Sequence, residues 1–124
     1  MMRTAMVGLG GAFGSIARYW IAGLALPWTP PGFPWGTFLV NVSGSFIIGV
    51  ILAAALERQW LGPDLRIALA AGVCGGFTTM SSFSFEILAL LEQGRFGAGF
   101  GYVAATVVTC PVATWAGVTI IRGL

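Results

Sequence analysis

Residues 75 to 84 read Gly75-Gly76-Phe77-Thr78-Thr79-Met80-Ser81-Ser82-Phe83-Ser84, two glycines followed by a crowd of hydroxyl side chains. They interrupt an apolar run from Ile67 to Leu91 that is otherwise long enough to cross a bilayer as one helix of about 20 residues. An uninterrupted lipid-facing helix gains nothing from such a segment. Backbone that unwinds at membrane depth is tolerated only where it is buried in protein or lines a watery cavity, and broken helices point to ion or substrate sites. The segment therefore predicts a broken third span beside a polar path.

The flanking sequence supplies the other spans. Upstream, Gly36 to Leu56 is free of charge and closes on Glu57-Arg58-Gln59-Trp60 and a Gly62-Pro63 break. Before it, Thr4 to Leu26 predicts a first span, retained in the mature chain, since Arg18 interrupts the apolar region and no Ala-x-Ala pattern follows. The Pro27-Trp28-Thr29-Pro30-Pro31-Gly32-Phe33-Pro34-Trp35 stretch cannot continue a helix, and Trp28 and Trp35 suit a membrane interface. Downstream, Phe96 to Ile121 predicts a fourth span kinked at Pro111.

Composition agrees with this layout. Of 124 residues, 57% are apolar and 8% charged, against about 25% charged in an ordinary soluble domain. Four spans of about 20 residues leave no room for a separate soluble domain, so residues 1–124 are expected to form a single four-helix transmembrane domain. The six basic residues, all arginine, are scattered and give no nucleic-acid footprint. The chain has no histidine, so Ser/His/Asp and Cys/His catalysis are excluded, and Cys74 and Cys110 stand apart inside apolar runs, where buried, reduced thiols are expected. The Gly8-Leu9-Gly10-Gly11-Ala12-Phe13-Gly14 run has no preceding strand and the wrong spacing for a dinucleotide loop. No enzyme is expected.

Several polar residues need a reason. Asn41, near the middle of the second span, must find partners inside the bundle, either as an interhelical hydrogen bond or along a permeation path. Thr37, Ser43 and Ser45 discriminate less, because hydroxyls bond back to their own helix. On the fourth span Tyr102, Thr106, Cys110 and Thr114 recur at intervals of four along one face, a helix contact or an ion track, with Thr109 off that face. Arg18 and Glu86 are the charges inside apolar runs, where a functional or paired role is the default. Glycines four apart at Gly10/Gly14, Gly72/Gly76 and Gly97/Gly101 allow close helix contact. No repeat relates the two halves, so a transporter needing two related halves must take the second from another chain.

The set Gly11-Ala12 and Arg18-Tyr19, Gly36-Thr37-Phe38-x-Val40-Asn41-x-x-Gly44-Ser45-x-x-x-Gly49, and Gly75 to Ser84 followed by Glu86 resembles the Fluc family of fluoride channels, also called CrcB-like proteins. The resemblance covers nearly the whole chain. It implies an antiparallel, dual-topology homodimer of four-helix subunits in the inner (plasma) membrane, passing fluoride through two pores built from both subunits, with a structural sodium ion at the interface. It makes Asn41 the pore asparagine, with Met80 and Phe83 at the family's two pore-phenylalanine positions. It also places Thr79, Ser81 and Ser82 beside the ion and gives the sodium the backbone carbonyls of Gly75 and Thr78. Thr106, Cys110 and Thr114 match the hydroxyl track, Tyr102 lies one turn before it, and Arg18 and Glu86 fall to a vestibule or structural role. Two residues depart from the pattern: Met80 replaces an aromatic and Cys110 a serine.

Arg3, Arg58, Arg66 and Arg122 are expected on one side of the membrane and Arg95 on the other, which favours a cytoplasmic N-terminus. Dual insertion prefers a more even count, so a heterodimer with an oppositely oriented partner stands beside the homodimer. Two other functions compete. A small multidrug-type proton-coupled exporter also uses short four-span subunits, but wants an acid in the first span, where Arg18 is the interior charge. A non-transporting packing subunit rests on the small-residue spacing alone.

Overall fold

The computed structural model describes residues 1–25 and 31–124, and every regular element among them is helical. Helix α1 spans Met2–Ala25, α2 Trp35–Leu56, α3 Pro63–Ile67, α4 Gly75–Phe77, α5 Met80–Glu92 and α6 Phe96–Gly123. A π-helical stretch, Ala68–Cys74, joins α3 to α4. The expected end of the first span at Leu26, and Trp28, lie outside the described residues. Elsewhere the observed limits fall close to the expected ones, and α6 runs unbroken through Pro111.

Among the described residues three helical runs, Trp35–Leu56, Pro63–Glu92 and Phe96–Gly123, are long and apolar enough to cross a membrane. Large apolar side chains such as Phe13, Phe100, Val108 and Trp115 stand exposed on the helices, a surface suited to lipid rather than water. This is an all-α, multi-pass membrane protein.

Small residues decide how the helices meet. Helix α1 lies along the π-helical stretch and α4, and α2 along α6. A Cβ added at Gly10 would come within 2.7 Å of the Ala68 carbonyl oxygen, and one at Gly14 or Gly76 would overlap the facing backbone of Val73 or Gly11. Backbone meets backbone there, as the four-residue spacing predicts. The same holds between α2 and α6, where Gly49 abuts Thr114 and Gly117 abuts Phe46. The third pair departs from expectation: Gly97 and Gly101 face open space.

The interruption of the third span is narrower than its composition suggests. Gly75-Gly76-Phe77 stays helical and helix resumes at Met80, so only Thr78 (ψ 155°) and Thr79 (φ −147°, ψ 112°) are extended. Gly76 lies against Gly11 of α1, where a larger residue would strike the backbone.

Two apolar clusters close the bundle. Ala53, Ala54 and Ile121 pack at one end, and Phe83, Leu90 and Tyr102 at the other, where Phe33 and Phe38 join them. At the first end Arg3 pairs with Asp64 at 2.6 Å, Arg122 grips both carboxylate oxygens of Glu57, and Arg58 donates to the last carbonyls of α6. The Arg122 guanidinium holds the Glu57 carboxyl below its ordinary pKa. At the far end Arg95 donates to the carbonyl of Gly32, which sits at φ +97°. Arg3, Arg58 and Arg122 thus make their contacts at one end of the bundle and Arg95 at the other.

Candidate functional site

The break strands backbone groups that a continuous helix would pair. Thr78 turns its hydroxyl back to the Cys74 carbonyl at 2.9 Å, and Thr79 caps α5 by accepting from the Ser82 amide at 3.2 Å. The amide of Thr79 is then left without a helical partner, and its carbonyl, at the N-cap of α5, keeps a second lone pair. Asn41, reaching from α2, satisfies both: Thr79 N–H donates to its Oδ1 at 2.8 Å, and its Nδ2 donates to the Thr79 carbonyl at 3.1 Å. The Thr79 donor fixes which amide atom is oxygen. One Nδ2 hydrogen remains for another acceptor. Gly44, three residues along, admits Phe77 and the Thr78 side chain, which a Cβ there would displace.

Asn41, Thr79 and α6 enclose a cleft of about 530 Å³. Met80, Phe83, Thr106 and Cys110 also line it, together with Gly75 and Thr78. Its walls are largely apolar, with few polar atoms. Thr106 is in the wall, and its hydroxyl oxygen is buried with no hydrogen-bond partner. Leaving such a group unpaired costs about 1–3 kcal/mol, so this hydroxyl is a donor and acceptor held in reserve by the protein. Phe83 is buried with its ring tilted at 68° against Tyr102, centroids 4.9 Å apart. Met80 is 73% exposed, which leaves the cleft without a wall on that side.

A second cavity, of about 470 Å³, shares Thr79 with the first and is lined by Ser15, Arg18, Thr37, Ser82 and Glu86. The Glu86 carboxylate is held from two sides: Thr37 donates to Oε1 at 2.6 Å and Tyr102 to Oε2 at 2.8 Å. Arg18 makes no ion pair with it, and the buried Arg18 Nε has no partner. This hydroxyl–carboxylate–hydroxyl bridge joins α2, α5 and α6, and sequence reasoning missed it. The intervals of 49 and 16 residues carry no motif, and only the fold reveals the pairing.

The structure thus brings Asn41, Thr79, Met80, Phe83, Thr106 and Cys110 together, and places Ser82 with Arg18 and Glu86 in the neighbouring cavity. Ser81 lies within hydrogen-bond distance of the Thr79 hydroxyl at 3.2 Å. Tyr102 is fully buried and committed to Glu86. Thr114 spends its hydroxyl on the Ser45 carbonyl of α2, at 2.9 Å, and lines neither cavity. Ser43 and Thr109 bond back to their own helices.

Residues 5–118 match the family described as CrcB-like protein, Camphor Resistance (CrcB). The chain is 54% identical to a protein of Anaeromyxobacter sp. (strain K) over 124 residues, all of this chain and 98% of that one. It is 46% identical to a protein of Geobacter sulfurreducens, covering 92% of each chain, and 41% identical to one of Rhizobium meliloti, covering 96% and 95%. Each of the three is named fluoride-specific ion channel FluC.

Proposed function

We infer the function from one premise: this chain belongs to the CrcB-like protein family. It is a fluoride-specific ion channel of the membrane, not an enzyme.

The first cleft is the ion's path in this reading. The observation that carries it is Asn41, which lines the cleft and keeps one Nδ2 hydrogen uncommitted after bonding both backbone groups of Thr79, with the unpartnered Thr106 hydroxyl in the same wall. A small anion entering a low-dielectric passage loses hydration worth tens of kcal/mol on a Born estimate. Donors must replace that water without trapping the ion, as a full positive charge would. Asn41 offers its free Nδ2 hydrogen, Thr106 its hydroxyl, and Phe83 the positive edge of a ring. Met80 supplies a flexible thioether where a second ring edge would stand, and Cys110 a weak S–H donor. Arg18 and the Glu86 cluster form the approach, with Thr79 between approach and path. Flow is passive, down the fluoride gradient and out of the cell across the inner membrane.

The open side of the cleft at Met80 supports a second copy as the missing wall, and the antiparallel four-span dimer with two pores is the arrangement proposed. The helix break also suits a hard cation. The amides that a continuous helix would aim at the Gly75 and Thr78 carbonyls, those of Thr79 and Ser82, are bonded to side-chain oxygens instead. Carbonyl oxygens released in this way are ligands of the type alkali and alkaline-earth ions use, and Gly75 and Thr78 would hold sodium there, adding positive charge and rigidity to the break.

Liposomes loaded with fluoride and carrying the purified protein should release it without detergent or energy input, and chloride-loaded liposomes should not. Comparable chloride release overturns the selectivity. Replacing sodium with a bulky organic cation should slow release and lower the melting temperature; no change in either overturns the sodium assignment.

A further inference from the structure

The cleft gathers sulfur. Both cysteines of the chain line it, Cys74 at the end of the π-helical stretch and Cys110 on α6, and Met80 at the start of α5 stands on its open side. Both thiols are free. Their access differs: Met80 is 73% exposed and Cys74 only 3%, with Cys110 between them. Three elements distant in sequence thus converge their soft atoms on one space that no carboxylate lines. Among the described residues no cluster of three or more His, Cys, Asp or Glu side chains forms, so the side chains here do not offer the ligand set of zinc. Thiolate and thioether together select closed-shell monovalent ions of the copper group.

We propose that this cleft binds a thiophilic monovalent cation, Cu(I) or Ag(I), through Cys110 and Met80, and that the bound ion stops fluoride flow. The reaction balances without an oxidant. The Cys110 S–H bond breaks, an S–metal bond forms, and the proton leaves to solvent. Met80 adds its sulfur lone pair and exchanges no proton. The metal then stands beside Asn41 and Thr106, the donors assigned to the anion, as a plug; one cation replaces one proton, so the net charge is unchanged and the block is steric. Cys74, on the buried wall, is not required. The inhibitory half of the proposal rests on the cleft being the fluoride path; the binding half does not.

Silver nitrate in chloride-free buffer is the probe. In liposomes, micromolar Ag(I) should cut wild-type fluoride release at least about tenfold, a change of about 1.4 kcal/mol in effective barrier, and excess thiol should restore it. Flux with silver, taken as a fraction of each variant's own flux without it, should remain near one for Cys110→Ser, rise well above wild type for Met80→Phe, and stay low for Cys74→Ser. Titration of the detergent-solubilised protein supplies a readout independent of transport: one proton released per chain, lost in Cys110→Ser. Undiminished block and proton release in Cys110→Ser overturn the site. Proton release without block overturns the inhibition. Absence of basal fluoride flux would instead overturn the path assignment, while the titration still decides whether the metal binds.

Discussion

The side-chain amide of Asn41 occupies both backbone hydrogen-bonding groups of Thr79, accepting from its amide at 2.8 Å and donating to its carbonyl at 3.1 Å. The span before it in the sequence thereby splints the break in the third. The same residue is asked to hold the fold and to offer its remaining hydrogen to the ion.

Asn41→Asp separates those roles. The carboxylate still accepts from the Thr79 amide, but it sets an oxygen against the Thr79 carbonyl and a negative charge in the cleft. We expect fluoride release to fall below detection in liposomes, with a stability loss of about 1–3 kcal/mol from the mismatched carbonyl. Size-exclusion chromatography should still show the folded assembly. Flux equal to wild type would remove Asn41 from the path.

The Glu86 bridge makes a different forecast. Thr37 and Tyr102 donate to opposite oxygens of one carboxylate, so removing either hydroxyl shifts more burden to the other. Thr37→Val and Tyr102→Phe should each destabilise the protein by about 1.5–3 kcal/mol, the range for hydrogen bonds to a carboxylate. The double mutant should deviate from their sum by at least about 0.5 kcal/mol. Denaturation in detergent measures the cycle, and strict additivity would mean that the two hydroxyls act independently.

Glycine spacing alone does not tell contact from coincidence, as the three pairs demonstrate. Gly76→Ala drives a methyl group into the Gly11 backbone, whereas Gly97→Ala and Gly101→Ala add one to open space. Gly76→Ala should cost at least about 1–3 kcal/mol. The other two should be neutral within the subunit or stabilise it by about 0.4–1 kcal/mol, through the lost freedom of the unfolded chain. Melting temperatures of the three variants check the order. A large loss at Gly97 or Gly101 would mean that a second copy packs there.

These contrasts show where sequence reasoning reaches and where it stops. The apolar runs were legible because a charge-free stretch such as Gly36 to Leu56 has no comfortable place outside a membrane. The break was legible in kind, since glycines and hydroxyls crowd there, but its extent was not. That Gly75-Gly76-Phe77 stays helical, with Gly76 packed on Gly11 of α1, cannot be read from local composition. The π-helical Ala68–Cys74 carries no local signal, being alanine-rich and apolar like any buried helix. The polar face of α6 was legible as a stripe, yet its members divide: Tyr102 serves Glu86, Thr114 serves Ser45, and Thr106 and Cys110 remain for the cleft. Period fixes which residues share a face; partners on other helices decide which of them stay free.

That freedom gives the sharpest test of the path. Most single changes that harm a channel harm its fold as well, so lost flux says little about position. Thr106 is the exception, because its hydroxyl oxygen is buried and bonded to nothing in the protein. Valine has nearly the same shape and no polar atom. Thr106→Val therefore removes a group that destabilises the empty protein by about 1–3 kcal/mol, and stability should hold or rise. Fluoride release should nonetheless fall about tenfold or more, since a donor that met the desolvated ion is gone, at a cost of about 1.4 kcal/mol or above. Stability and flux thus move in opposite directions, a pattern that damage to packing does not produce. Measured side by side in liposomes and by thermal unfolding, unchanged flux in a fully stable Thr106→Val protein would show that fluoride does not pass this hydroxyl.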